Sequence, residues 1–163
     1  MKTLMIAASV AALSLAFPAL AHAEGGVYTT IGYANVDVDP VNLGAIQGRL
    51  GMTFTPHLGI EGELALGVAD DDILGTTVEL SNSYGVFAVA RAPVSENVNL
   101  FIRAGLASVE VDVGGTSAKE HGAAYGVGVE GFFTAKDGVR FDYSRYEFGG
   151  DADVWSLSYV RKF

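Results

Sequence analysis

The chain has 163 residues, half of them apolar, no cysteine, and a formal net charge of −9. The acidic balance argues against a nucleic-acid partner, whose phosphates it would repel. The lack of cysteine excludes a disulfide-stapled secreted scaffold.

Lys2 supplies a positive n-region, Leu4 to Leu15 is apolar and helix-prone, Pro18 breaks the run, and Ala21-His22-Ala23 is a small-x-small cleavage site. Residues 1–23 therefore read as a signal-peptide helix, because the apolar run is short for a membrane anchor. Cutting after Ala23 leaves Glu24 to Phe163, 140 residues and one domain, and loss of Lys2 moves the charge from −9 to −10.

Beyond the signal the longest charge-free stretch is Gly25 to Val36, twelve residues. That is too short to cross a hydrocarbon core as a helix, whereas a tilted strand crosses it in about 9–11 residues. Only helices and closed barrels satisfy their backbone in lipid, so an apolar, helix-poor chain points to a barrel. The 21 glycines interrupt every helical period, and the recurring pattern is alternation broken by turn chemistry. Strands are expected at 26–36, 45–56, 58–69, 78–92, 98–111, 122–134, 138–148 and 153–163. The fold class is all-β: an eight-stranded antiparallel transmembrane up-and-down barrel over 24–163. The even count leaves both ends in the periplasm of a bacterial envelope. Pro56 to Gly59, Pro93 to Asn97 and Ala135 to Gly138 read as compact periplasmic turns. Asp37 to Gly44, Asp70 to Thr77, Asp112 to His121 and Gly149 to Asp153 read as outer loops.

Parity separates two faces. One carries Val27, Ile31, Tyr33, Ile46, Leu50, Leu64, Leu66, Leu100, Ile102, Leu106, Val127, Phe141, Trp155, Leu157 and Tyr159. The other carries Tyr28, Thr30, Gln47, Arg49, Glu61, Glu63, Arg91, Arg103, Glu130, Arg140, Asp142, Ser156, Ser158 and Lys162. Apolar outside and charged inside is the membrane arrangement; a soluble barrel would show the reverse. The fourth strand is ambiguous, since Val86, Ala88 and Ala90 compete with Phe87 and Val89, and Arg91 settles its parity. The five inward cations (Arg49, Arg91, Arg103, Arg140, Lys162) and four anions (Glu61, Glu63, Glu130, Asp142) nearly cancel, and burial requires them to pair. Glu130 and Arg140, on adjacent strands, are candidate partners. The network is either a polar core that holds the barrel together or a narrow gated path for ions or water.

Pro56-His57-Leu58-Gly59-Ile60-Glu61, Asn99 to Gly105, Gly128-Val129-Glu130 and Val139 to Tyr143 resemble, in order, the small eight-stranded outer-membrane proteins: the OmpA-like transmembrane domain, OmpX and the Opa-type outer membrane protein beta-barrel families. The resemblance implies that Glu61, Glu130 and Arg140, with Arg103 nearby, occupy the lumenal ion-pair gate of the OmpA-like barrel. Where that family carries a lumenal lysine on strand four, this chain has Val89, with Arg91 two residues on. The resemblance also implies that Trp155, Leu157, Tyr159 and Phe163 form the signal read by the barrel-assembly machinery, with Arg161 where an aromatic is commoner. No peptidoglycan-binding domain is expected after the barrel, and a monomer is expected.

No catalytic residue is assigned. His57 falls in a turn and His121 at the end of an outer loop, and Ser117 is the one serine near an outer histidine; none has the nucleophile–base spacing of a lipid-modifying enzyme. No cofactor or metal site is read, because Asp70-Asp71-Asp72 lacks the spacing of a calcium loop. The expected partners are outer-membrane lipid and lipopolysaccharide. The acidic outer end (Asp37, Asp39, Asp70 to Asp72, Glu79, Glu110, Asp112, Glu120, Glu147, Asp151, Asp153) is either a solvated rim or a surface that shares divalent cations with lipopolysaccharide phosphates.

Overall fold

The computed structural model describes residues 26–38, 41–69, 71–73, 76–113 and 116–163. The expected signal peptide and its expected cleavage site at Ala23 lie outside these residues. The strands are β1 (Val27–Val38), β2 (Val41–Thr53), β3 (Leu58–Ala69), β4 (Asp71–Ile73), β5 (Thr76–Ser95), β6 (Val98–Val113), β7 (Thr116–Phe132), β8 (Asp137–Phe148) and β9 (Gly150–Lys162). Every pairing is antiparallel between neighbours; β3 and β4 both pair with β5 and form one stave, and β1 pairs with β9. The described residues form a closed eight-stave barrel with no free sheet edge among them, the condition lipid imposes.

Side chains follow the expected alternation. Ile102, Leu106, Leu64 and Leu157 are exposed on the outer surface, while the charged positions between them are buried. On β5, Phe87 and Val89 point inward and Val86 outward, as Arg91 required. Val27 is the exception: it shares the outward parity yet is buried at the terminal end, beside Phe163, whose amide donates to the Val27 carbonyl at 2.9 Å.

The outer connections are shorter than the sequence pattern implied. The expected loops Asp37 to Gly44, Asp70 to Thr77, Asp112 to His121 and Gly149 to Asp153 are largely strand. β1 and β2 pair out to Val38↔Val41, and β6 and β7 to Val113↔Thr116. β8 and β9 pair out to Phe148↔Gly150 around Gly149, whose φ of +35° favours glycine. β-Branched residues such as Val38, Val41, Val113 and Thr116 favour the ladder. An antiparallel ladder can continue through water, so strand does not stop where the bilayer does.

The lumen has two layers. Its middle is charged. Its outer part carries a buried apolar cluster that includes Ala34, Leu43, Ala45, Ala65, Phe148, Ala152 and Val154. The expectation of a charged inner face thus holds for the middle of the barrel and fails nearer its outer end.

Candidate functional site: the charged lumen

Three arginines and three carboxylates meet in the middle of the barrel. Arg49 on β2 and Glu63 on β3 are register partners, and Arg49 Nε donates to Glu63 Oε2 at 2.8 Å. The other end of Arg49 crosses the lumen to β8, where Nη1 and Nη2 fork onto the two oxygens of Asp142 at 2.7 and 2.9 Å. Arg140, also on β8, reaches across to β3: Nη1 donates to Glu61 Oε2 at 2.7 Å and Nη2 to Oε1 at 3.3 Å, while Nε donates to Asp142 at 3.3 Å. Arg103 on β6 donates to Glu61 at 3.3 Å and places Nη2 2.6 Å from Glu63, poorly aligned for a hydrogen bond. The hydroxyls of Tyr28 and Tyr146 donate to Glu61 and Glu63. Glu61 and Arg140 are 0 % exposed. Three positive and three negative charges balance, which is what full burial demands.

Aromatic rings complete the cross-section. Arg103 lies over the Phe87 ring at 3.5 Å and Arg140 over Phe101 at 3.9 Å, so each cation faces a π surface on the side its carboxylates leave open. Glycines make room for these rings. A Cβ on Gly51 would lie 1.9 Å from Tyr28 Cζ, and one on Gly128 would lie 2.4 Å from Phe101 Cζ.

A second group sits nearer the terminal end. Arg91 Nε donates to Glu130 Oε1 at 2.9 Å, and Asn99 donates to the same oxygen at 3.3 Å. Arg91 also lies over the Tyr28 ring at 4.5 Å, and the Lys162 ammonium lies 3.4 Å from the Phe132 ring centre. Glu130 and Arg140 are register neighbours across β7 and β8, yet they take different partners. The pairing expected between them is therefore replaced by Arg140–Glu61 and Arg91–Glu130. The cause is reach: Arg140 extends across the closed lumen to a doubly accepting carboxylate, and Glu130 turns toward the terminal end. Val89 holds no charge, and Arg91 supplies the cation of that strand.

Trp155, Leu157 and Tyr159 lie on the outward face of β9, with Phe163 closing the seam to β1. Trp155 packs on Phe141 and Tyr143 at 5.7 and 4.7 Å. Charged pairs bracket this apolar band. At the terminal rim Asp137 accepts from Tyr159 and from Arg161; at the outer rim Arg145 forks onto Asp153 at 2.7 and 2.9 Å, joined by the Tyr143 hydroxyl. Outside the band, Arg145 and Tyr143 hold the Asp153 carboxyl down to about 2.

His57 lies in a turn with Nδ1 3.2 Å from the Arg91 carbonyl oxygen. His121 lies within β7 opposite Ser108 rather than at the end of a loop, and Ser117 pairs with Asp112. Among the described residues no group of three acidic or histidine side chains is placed to hold a metal ion.

The family profile described as "Outer membrane protein beta-barrel domain" matches residues 5–163. No curated protein matches the chain. Among solved structures, Ail, the attachment invasion locus protein of Yersinia pestis, in complex with the heparin analogue sucrose octasulfate, is 19% identical with a TM-score of 0.66, covering 86% of this chain and 99% of that one. The N-terminal β-barrel domain of Pseudomonas aeruginosa OprF is 13% identical with a TM-score of 0.63, covering 86% and 100%. Neisserial surface protein A is 14% identical with a TM-score of 0.61, covering 85% and 97%. At these identities the likeness is one of fold.

Proposed function

This chain belongs to the outer membrane protein beta-barrel family, and from that premise we propose a non-enzymatic outer-membrane barrel, exported by a signal cleaved near Ala23, that supports envelope integrity or surface interaction as a monomer. The observation that carries the reading is the filled cross-section: Glu61, Glu63, Arg49, Arg103, Arg140 and Asp142 are buried and bonded across the lumen between Phe87 and Phe101. A lumen closed at its middle leaves the outer end of the barrel and the lipid-facing wall as the working parts. Trp155, Leu157, Tyr159 and Phe163 serve assembly of the barrel in this reading. The heparin analogue held by Ail is a polyanion; the acidic rim here would repel one, so a surface partner of this chain is neutral, cationic or bridged by divalent cations.

One observation favours a second reading, a small gated channel. Arg140 bonds Glu61 while its register neighbour is Glu130, so a second carboxylate stands on the adjacent strand as an alternative partner. Deletion and complementation test the first reading: loss of the gene should raise leakage of periplasmic enzymes or abolish a surface interaction, and wild-type barrel should restore it. Unaltered leakage and surface binding would contradict it.

A further inference from the structure

The outer part of the lumen is built to do something other than hold charge. Inward residues Ala34, Val36, Leu43, Ala65, Ala152 and Val154 line a cavity of about 270 Å³ above the ion network. Its floor includes Glu63 and Tyr146, and Glu63 is already held by Arg49 and Tyr146. Strand pairs at this end are separated by one or two residues, at 39–40, 74–75, 114–115 and Gly149. Gln47, whose buried amide oxygen has no hydrogen-bond partner among the described residues, and Ser83 are polar members of the lining, but most of the wall is apolar, so an apolar group gains by displacing water from it.

The rim selects the charge of the occupant. Glu120 is exposed and lines the cup, and Asp37, Glu147 and Asp151 are exposed at the same end. Of the cations there, Arg145 is committed to Asp153 and Lys119 lies 5.1 Å from the Tyr84 ring centre. Only Glu120 of these carboxylates lines the cup, while Asp37, Glu147 and Asp151 stand at outward parity around it; one inward carboxylate in an acidic surround at the mouth of a low-dielectric cup attracts cations and repels anions.

We propose that this cup binds a small amphipathic cation from outside the cell, with an alkyl or aromatic group in the apolar wall and an ammonium or guanidinium group at Glu120. A dry apolar cavity of about 150 Å³ holds benzene, so this one takes a group of about ten non-hydrogen atoms. The proposal specifies the surface-interaction reading and rests on the closed floor. It is tested on purified protein, so its failure would leave the envelope phenotype untouched.

The test is calorimetric titration of the full barrel, refolded in phosphatidylcholine nanodiscs, with n-octylammonium, n-octanol and n-octanoate, against empty discs. Octylammonium should bind saturably at one site, more tightly than octanol, with no saturable octanoate binding. Glu120→Gln should weaken octylammonium about two- to fivefold, the scale of one exposed charge, and leave octanol unchanged. Ala152→Trp should abolish saturable binding of both; if that variant does not fold by heat-modifiable gel migration, Val36→Trp, half-buried in the wall, fills the cup instead. Octylammonium uptake no greater than that of empty discs would overturn the proposal. So would binding untouched by a folded filling variant, or octanoate binding as tight as octylammonium.

Discussion

Replacing Glu61 with leucine removes the carboxylate on which three arginines and a tyrosine converge: Arg140 and Arg103 by hydrogen bond, Arg49 at 3.7 Å, and the Tyr28 hydroxyl. Arg140 would lose its two bonds to Glu61 and keep the one to Asp142 at 3.3 Å, and Arg103 would keep only its contact with Glu63. Breaking a buried pair by removing one partner costs about 3–5 kcal/mol, because the other charge is stranded, while replacing both partners by apolar groups is often close to neutral. Glu61→Leu and Arg140→Leu should each therefore lower stability by about 3–5 kcal/mol. The double variant should fall short of the sum by roughly 2–3 kcal/mol, the upper range of coupling between contacting groups. Reversible urea titration in lipid, followed by Trp155 fluorescence, measures all three. Additivity of the two losses within about 0.5 kcal/mol would refute the pairing.

The same titration should find Glu130→Leu and Arg140→Leu closer to additive, because the two residues take different partners; coupling as large as that of Glu61 with Arg140 would contradict the split into two groups. Gly51→Ala should destabilise by about 1–3 kcal/mol by overpacking against Tyr28, whereas Gly62→Ala, on the exposed face with its nearest neighbour atom 3.9 Å away, should be nearly silent; equal effects would rule out the close approach. The bond to Arg145 makes the folded Asp153 carboxyl more acidic than its ordinary 3.8. Its contribution is present above that value and is lost as pH falls toward about 2, so a carboxyl-carbon NMR titration should give a midpoint near 2, and one near 3.8 would refute it.

Much of this architecture is legible in the sequence because a pleated strand in lipid has only two environments. Trp155, Leu157 and Tyr159 alternate with Ser156 and Ser158, and lipid and lumen sort them without ambiguity. Phe87 and Val89 are not legible alone, since both faces of β5 are apolar and only Arg91 breaks the tie. The outer ends are not legible, because Asp, Gly and Asn are turn residues by composition, yet residues such as Asp37 and Asp153 sit in a water-exposed antiparallel ladder where a charged outward side chain costs little. Partner choice in the lumen lay beyond sequence reasoning: Arg140 and Glu130 are neighbours in register, but Glu61 comes within reach only once the barrel closes. The apolar cup had a signal, small apolar residues at inward parity in Ala34, Ala45, Ala65 and Ala152, hidden by the stronger pattern of charge below it.

The most direct test of the central claim, a barrel whose lumen is closed by a bonded charge network, is a planar-bilayer recording of the refolded protein. A silent bilayer for the wild type is predicted. Regular unitary conductance that changes with Glu61→Ala or Arg140→Ala would contradict it and establish a path through the network.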